Sequence, residues 1–199
     1  LNAKENPYPP SPKVIKAVTK FIKKYPEKLG LYPDPDSTEL HKAVADMLNK
    51  SGGILCKYAP IKENSFENGF KVTPEMIYTG NGSDEVLSFL FYAFFSSNKK
   101  FVMPEFTYSF YPVYAGFYNI PTDTVPLKSD WTLDTDEMIK RANENNSGII
   151  FANPNAPTGR ALSREEIRQM ILKAPKDEIF VVDEAYADFG DETCIPLIN

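Results

Sequence analysis

Two short apolar runs, Ile149-Ile150-Phe151 and Ile179-Phe180-Val181-Val182, constrain this chain more than any other feature, because no polar residue alternates with the apolar ones. A strand with one wetted face alternates, whereas a strand covered on both faces does not. Both runs therefore predict interior strands of a parallel sheet, at 148–151 and 178–182. Similar short runs predict further strands at 76–79, 100–103 and 122–127. Helix-periodic stretches at 83–95, 107–117, 134–145 and 163–173 fall between them. Regular alternation of strand and helix predicts an α/β fold, a three-layer, mostly parallel sheet with helices on both faces.

The chain before residue 73 has a different character. Pro7, Pro9 and Pro10 forbid a helix over residues 1–10, which read as an extended arm. Ser11 followed by Pro12 is a helix start, and the helix stops near Tyr25-Pro26. Val14, Ile15, Val18, Phe21, Ile22 and Tyr25 form its apolar face, with lysines on its back. Tyr32-Pro33-Asp34-Pro35-Asp36 is a rigid turn. A second helix follows, with Asp36 as cap, Glu39 completing a capping box, and a face of Leu40, Ala43, Val44, Met47 and Leu48. Residues 51–72 read as a long surface excursion, with a hairpin as one form it could take.

Composition excludes several classes. With 42% apolar and 25% charged residues, the chain has the make-up of a soluble globular protein and material enough for a core. Its two cysteines, Cys56 and Cys194, cannot staple a small scaffold and have no metal-ligand spacing. No apolar run approaches the roughly 18 residues needed to cross a bilayer, and the polar, Pro-rich start is unlike a signal peptide. A reduced, cytoplasmic setting with no membrane partner is expected. Residues 1–28 carry seven Lys against two Glu, while the whole chain has a net charge of −5. The basic stretch could be a nucleic-acid arm, but acidity elsewhere argues against a phosphate-backbone footprint, and no nucleic-acid partner is expected.

In open α/β sheets ligands sit beyond the carboxyl ends of the strands. Three segments stand there. Thr79-Gly80-Asn81-Gly82-Ser83-Asp84-Glu85 opens a helix, and its glycines and exposed amides suit an anion; a well-capped helix start without ligand reads equally well. Asn153-Pro154-Asn155-Ala156-Pro157-Thr158-Gly159 is a fixed turn holding Asn side chains at a strand end, or simple turn chemistry. Asp183-Glu184-Ala185-Tyr186 puts a carboxylate at the end of a buried strand, which is costly without a cationic or protonated partner; an N-cap is the alternative.

Rival chemistries lack their parts. An apolar run ending in Asp-Glu suits a nucleoside-triphosphatase, but no Gly-rich loop ends in Gly-Lys-Ser/Thr. The one histidine, His41, reads as a helix-surface residue, which excludes a Ser-His-Asp triad and a histidine-rich metal site; no metal is expected. No Gly-x-Gly-x-x-Gly dinucleotide fingerprint is present.

The three strand-end motifs occur in order. With the opening Leu1-Asn2-Ala3-Lys4-Glu5-Asn6-Pro7 and with Tyr32-Pro33-Asp34-Pro35-Asp36, they resemble the class II pyridoxal-phosphate aminotransferases of fold type I. The Tyr-Pro-Asp-Pro-Asp segment is most similar to the histidinol-phosphate branch, and the likeness covers nearly all of the chain except residues 51–72. The resemblance implies pyridoxal 5'-phosphate as cofactor and transamination between L-histidinol phosphate and 2-oxoglutarate, in histidine biosynthesis. It implies that the Ser83 and Asp84 amides hold the cofactor phosphate, that Tyr108 stacks on the pyridine ring, that Asp183 pairs with the ring nitrogen and that Tyr186 bonds the 3-oxygen. It further implies a homodimer, in which Tyr32 reaches the neighbouring subunit's cofactor phosphate, and an arm near Glu5 and Asn6 that lines the substrate entrance. Residues 1–30 would be the arm and a small-domain helix, and residues 31–199 the N-terminal part of the large cofactor-binding domain.

Some positions depart from the family pattern. Its turn usually reads Asn-Pro-Asn-Asn-Pro-Thr-Gly, and the Asn that contacts the 3-oxygen is replaced by Ala156, so Asn155 is expected to take that role if the turn shifts. Pro9 and Phe106 stand where glycine and proline are common. The family's catalytic Ser-Lys lies beyond Asp-Glu-Ala-Tyr, and the chain ends at Asn199 before any such motif, so residues 1–199 alone are expected to be inactive. Alternatives are another fold type I aminotransferase, a phospho-amino-acid decarboxylase, or a lysine-less, non-catalytic cofactor-binding fragment.

Overall fold

A computed structural model describes residues 8–51, 70–95 and 97–198. The chain divides into two compact units, Leu1–Thr38 and Glu39–Asn199. In the first, helix α1 (Pro12–Lys24) starts where Ser11 accepts a bond from the Val14 amide, with Pro12 in the first turn. Tyr25 ends it and a 3-10 turn, Pro26–Gly30, follows. The apolar face of α1 is not buried: Val14, Ile15, Val18, Phe21 and Ile22 are each 42–53% exposed. In the Tyr32-to-Asp36 turn, Asp34 rather than Asp36 is the organising acid. Its carboxylate accepts the amides of Asp36 (3.2 Å) and Thr38 (2.8 Å), and so prepares the start of the next helix.

Helix α2 (Thr38–Ser51) buries Ala45, not Ala43, and leaves Leu40 half exposed. Val44, Met47 and Leu48 of the expected face are half-buried, but the inner face is turned by less than a quarter turn so that it takes in Ala45 and a half-buried His41, which is not on the outer surface. Most of the excursion expected at 51–72 lies outside the described residues; at its end, Asn49 pairs through its amide with both the N–H and the C=O of Val72.

The second unit is built on four parallel strands, β1 (Phe101–Pro104), β2 (Thr122–Val125), β3 (Ile149–Ala152) and β4 (Phe180–Asp183), in the order β2-β1-β3-β4. The fifth predicted strand, at 76–79, does not form. Pro74–Met76 is a 3-10 turn, and Met76 and Tyr78 are exposed, so the segment has no buried face to pair with. Helix α3 (Gly82–Phe94) precedes β1; α4 (Tyr111–Phe117), α5 (Thr135–Asn145) and α6 (Arg164–Lys173) connect the strands in turn. The helix expected from 107 starts four residues late, because Pro112 fixes its first turn at Tyr111 and leaves 105–110 as a loop.

Alternation along the strands sorts the core into two layers. Phe101, Met103, Ile150 and Val181 pack under α3 and α4 with Leu87, Phe91, Tyr111 and Tyr114. Val102, Ile149, Phe151 and Val182 pack under α5 and α6 with Met138, Ala142, Ile167 and Met170. From β1 the chain moves outward to β2, then crosses back over the opposite face to β3 and on to β4. The connections after β1 and β3 thus leave in opposite directions, which opens a crevice at the strands' carboxyl ends.

The layers are closed tightly at Gly148, where an added Cβ would lie 2.8 Å from Phe95 Cε1 and 3.0 Å from both Ile179 Cγ2 and the Ile179 carbonyl oxygen. Gly148→Ala is expected to lower the unfolding free energy by about 1–3 kcal/mol, measured by urea denaturation of the full chain.

Candidate active site

The loop before α3 has the geometry of an anion cradle. Gly82 has φ +83°, which disfavours any side chain, and a Cβ at Gly80 would fall 3.0 Å from both Glu85 Oε2 and Val86 Cγ2. The Glu85 carboxylate folds back to accept the Asn81 amide at 2.6 Å. Ser11, Asp134 and Ser163 cap α1, α5 and α6 through their side chains, but Asn81 makes no such bond on α3. The amides of Ser83 and Asp84 in this first turn are therefore left for an external acceptor. His41 Nε2 and Thr79 Oγ1, 3.1 Å apart, tie α2 to the start of the loop.

The loop after β1 delivers Tyr108. Its hydroxyl donates to Asp84 Oδ1 at 2.7 Å, and Tyr114 on α4 donates to the same oxygen at 3.0 Å. The Tyr108 ring meets that of Tyr111 edge-on, with centroids 5.5 Å apart. Tyr111, the first residue of α4, is fully buried and donates to Asp183 Oδ2 at 2.7 Å.

Asp183 ends β4 on the α3–α4 face, and its Oδ1 accepts the Ala185 amide at 3.0 Å. Strand alternation sends Glu184 the other way, where it accepts the Thr193 hydroxyl and the Cys194 amide (2.6 Å). The two neighbouring acids thus do different jobs, one facing the crevice and one anchoring the segment that follows β4. Burial, with Glu184 beside it, pushes the Cys194 thiol up to about 12, so it is no nucleophile.

The turn after β3 is held from within. Asn153 pairs through its amide with the backbone of Leu162 at 2.8 and 3.1 Å. Asn155, 1% exposed, donates to the Phe106 carbonyl (2.9 Å) and to Thr158 Oγ1 (3.2 Å), which ties the β3 turn to the β1 loop. Its Oδ1 and the neighbouring loop's Thr107 Oγ1 are buried without a hydrogen-bond partner.

Five of the expected residues thus stand on loops and strand ends that meet here, Ser83, Asp84, Tyr108, Asn155 and Asp183, and Tyr186 follows Asp183 by three positions. Among the described residues neither Asp84 nor Asp183 has an ion-pair partner, and every side-chain donor to them is a neutral phenol. An acid cluster at one end and a row of amides beside it suit a ligand that carries a cationic head and an anionic tail. Tyr32 is fully exposed in the first unit, and Glu5 and Asn6 lie outside the described residues. No group of three His, Cys, Asp or Glu among the described residues is placed to hold a metal ion.

A family profile for aminotransferase class I and II matches residues 1–198. The chain belongs to that family. Among curated aminotransferases, it is 42% identical over its whole length to histidinol-phosphate aminotransferase from Syntrophus aciditrophicus and 41% identical to that from Acinetobacter baumannii, covering 48% of each. The chain thus spans about half the length of the curated relatives it matches. Among solved structures, histidinol-phosphate aminotransferase from Sinorhizobium meliloti in complex with pyridoxal-5'-phosphate aligns with a TM-score of 0.72 at 20% identity, over 93% of this chain and 43% of that one. The aminotransferase fold therefore extends through the described sheet and its helices.

Sequence reading missed Tyr111 and Tyr114, which look like core aromatics until their hydroxyls are followed to Asp183 and Asp84. The spacing Tyr108, Tyr111, Tyr114 after a strand is the signal that could have found them. Burial, with Asp84 beside it, pushes the Tyr108 hydroxyl from 10.0 up to about 12. Burial with Asp183 raises that of Tyr111, and burial with Asp84 that of Tyr114. The folded chain thus holds these protons more tightly than the unfolded one. The resulting stability is complete below the ordinary tyrosine value and is lost as pH rises from there through the folded values. Urea midpoints are expected to fall above about pH 10, and Tyr111→Phe to make that fall shallower.

Proposed function

We propose that this chain forms the cofactor-binding part of a pyridoxal 5'-phosphate aminotransferase that moves an amino group between L-histidinol phosphate and 2-oxoglutarate. The observation that carries the reading is Asp183, a strand-end carboxylate held by two uncharged donors and matched by no cation of the described chain. Identity of 41–42% to histidinol-phosphate aminotransferases over the whole chain supports the choice of substrate.

The cofactor fits the residues present: a protonated ring nitrogen supplies the missing positive charge, and a phosphate supplies the acceptor that the α3 amides lack. When bound, pyridoxal phosphate supplies the electron sink for the charge left when the substrate's α-proton departs. Asp183 keeps the ring nitrogen protonated. Tyr186 bonds the 3-oxygen, and Asn155 joins it by releasing Thr158 Oγ1, the longer of its two contacts. Tyr108 presents its ring to the pyridine face and is held by Asp84, while Ser83 and Asp84 bind the phosphate through their amides.

The remaining assignments follow from the same reading. Residues 1–30 are the arm and small-domain helix, and residues 31–199 belong to the large domain. The active form is a cytoplasmic homodimer, in which Tyr32 reaches the partner's cofactor phosphate and Glu5 and Asn6 line the substrate entrance. No helix of the described residues is long and apolar enough to cross a membrane.

Asp183→Ala in a full-length aminotransferase containing this chain is expected to weaken cofactor binding by about 100-fold or more, measured by cofactor absorbance on titration, and to abolish turnover. A panel of histidinol phosphate, aromatic amino acids and threonine phosphate is expected to give the highest kcat/KM with histidinol phosphate, by about tenfold or more. Cofactor binding that survives Asp183→Ala would sink the assignment of Asp183; another substrate at the top of the panel would sink only the substrate.

A further inference from the structure

We propose that Tyr111 is the positioning residue for Asp183, its hydroxyl aiming the carboxylate at the ring nitrogen of the bound cofactor. The inference rests on the Asp183 role given above and adds a residue that touches neither cofactor nor substrate. Tyr111 is 0% exposed. Its ring is fixed by Phe91 (centroids 6.2 Å apart) and by the edge-on Tyr108 (5.5 Å), and Pro112 follows it in the first turn of α4. The hydroxyl therefore has one orientation, and its proton goes to Asp183 Oδ2 at 2.7 Å.

With Oδ1 taken by the Ala185 amide, each oxygen of Asp183 has one donor, and the plane of the carboxylate is set from two sides. Each oxygen retains a lone pair for an incoming N–H. The chemistry of the donor matters as much as its position. An arginine or lysine would neutralise the carboxylate and remove the charge that the ring nitrogen needs. An apolar residue would leave Oδ2 free to turn. A buried phenol fixes the group and leaves its charge intact. Burial and Asp183 itself push the pKa of the Tyr111 hydroxyl up, which favours its protonated, donating form. Among the described residues, the other ionisable groups that act on this pair are the phenols of Tyr108 and Tyr114, and neither brings a positive charge.

The test compares pyridoxal phosphate with its 1-deaza analogue, in which a carbon replaces the ring nitrogen, both binding to the cofactor-free full chain. Removing the hydroxyl in Tyr111→Phe is expected to weaken binding of pyridoxal phosphate about tenfold. The same variant is expected to leave the deaza analogue within about twofold, because that ring makes no bond to Asp183. Equal loss for both ligands would make Tyr111 a packing residue and overturn the inference, as would no loss for either. Asp183→Ala run alongside separates the two levels. If Asp183→Ala retains the preference for the nitrogen-bearing ring, the Asp183 role fails and this inference fails with it. If Asp183→Ala erases the preference but Tyr111→Phe does not, only Tyr111 is wrong. Should Tyr111→Phe fail to fold, 3-fluorotyrosine at position 111 keeps the ring and alters only the donor; a changed ligand preference supports the role and an unchanged one overturns it.

Discussion

A carboxylate at the end of a buried strand has to be held, and it matters by what. Asp183 receives a backbone amide and a buried phenol, neither of which carries charge. Asp84 receives two phenols. Both acids are thereby fixed in place while their charge stays available, and in a partly dry crevice such charge attracts a cation more strongly than it would in water. The aromatic layer under α3 and α4 exists around this requirement. Phe91, Phe101 and Phe95 pack against one another and against Tyr111 and Tyr114, so the ring bodies contribute to the core while the hydroxyls serve the acids.

The sheet order makes the rest possible. Because β1 and β3 are neighbours whose connections diverge, the loop with Tyr108 and the turn with Asn155 meet over the same crevice, and Asn155 stitches them together at the Phe106 carbonyl. Helix α3 ends its approach beside them with an uncapped N-terminus. Ligand binding adds stability in proportion to its occupancy, so a site with two unmatched acids and two unpartnered buried oxygens is the part of the fold with most to gain from being filled.

How much of this was legible from residues alone differs from element to element. The four strands that form were readable, because runs such as Ile149 to Phe151 have only one comfortable place in a soluble fold. Residues 76–79 read as a strand from composition alone, but Pro74 and the exposure of Tyr78 decide otherwise, and no pattern within four residues reveals whether a neighbour exists to pair with. The start of α4 was misplaced at a functional segment: residues 107–110 were read into the helix, yet they belong to the loop that presents Tyr108. His41 looked like a surface residue because nothing in sequence links it to Thr79, 38 positions away. Motifs at strand ends were legible as candidates, while the phenol-to-acid bonds, which join residues 24 to 72 positions apart, were not.

Asp183 and Glu184 are adjacent, yet they serve opposite faces of the sheet. The assignment of each acid is a matter of parity. Sliding β4 by a single residue against β3 would turn Glu184 toward the crevice and bury Asp183 beneath α6, with every core residue of the strand inverted at the same time. A single-residue insertion inside β4 would therefore exchange the roles of the two acids, whereas one in the loop that connects it to β3 leaves the parity of the strand unchanged.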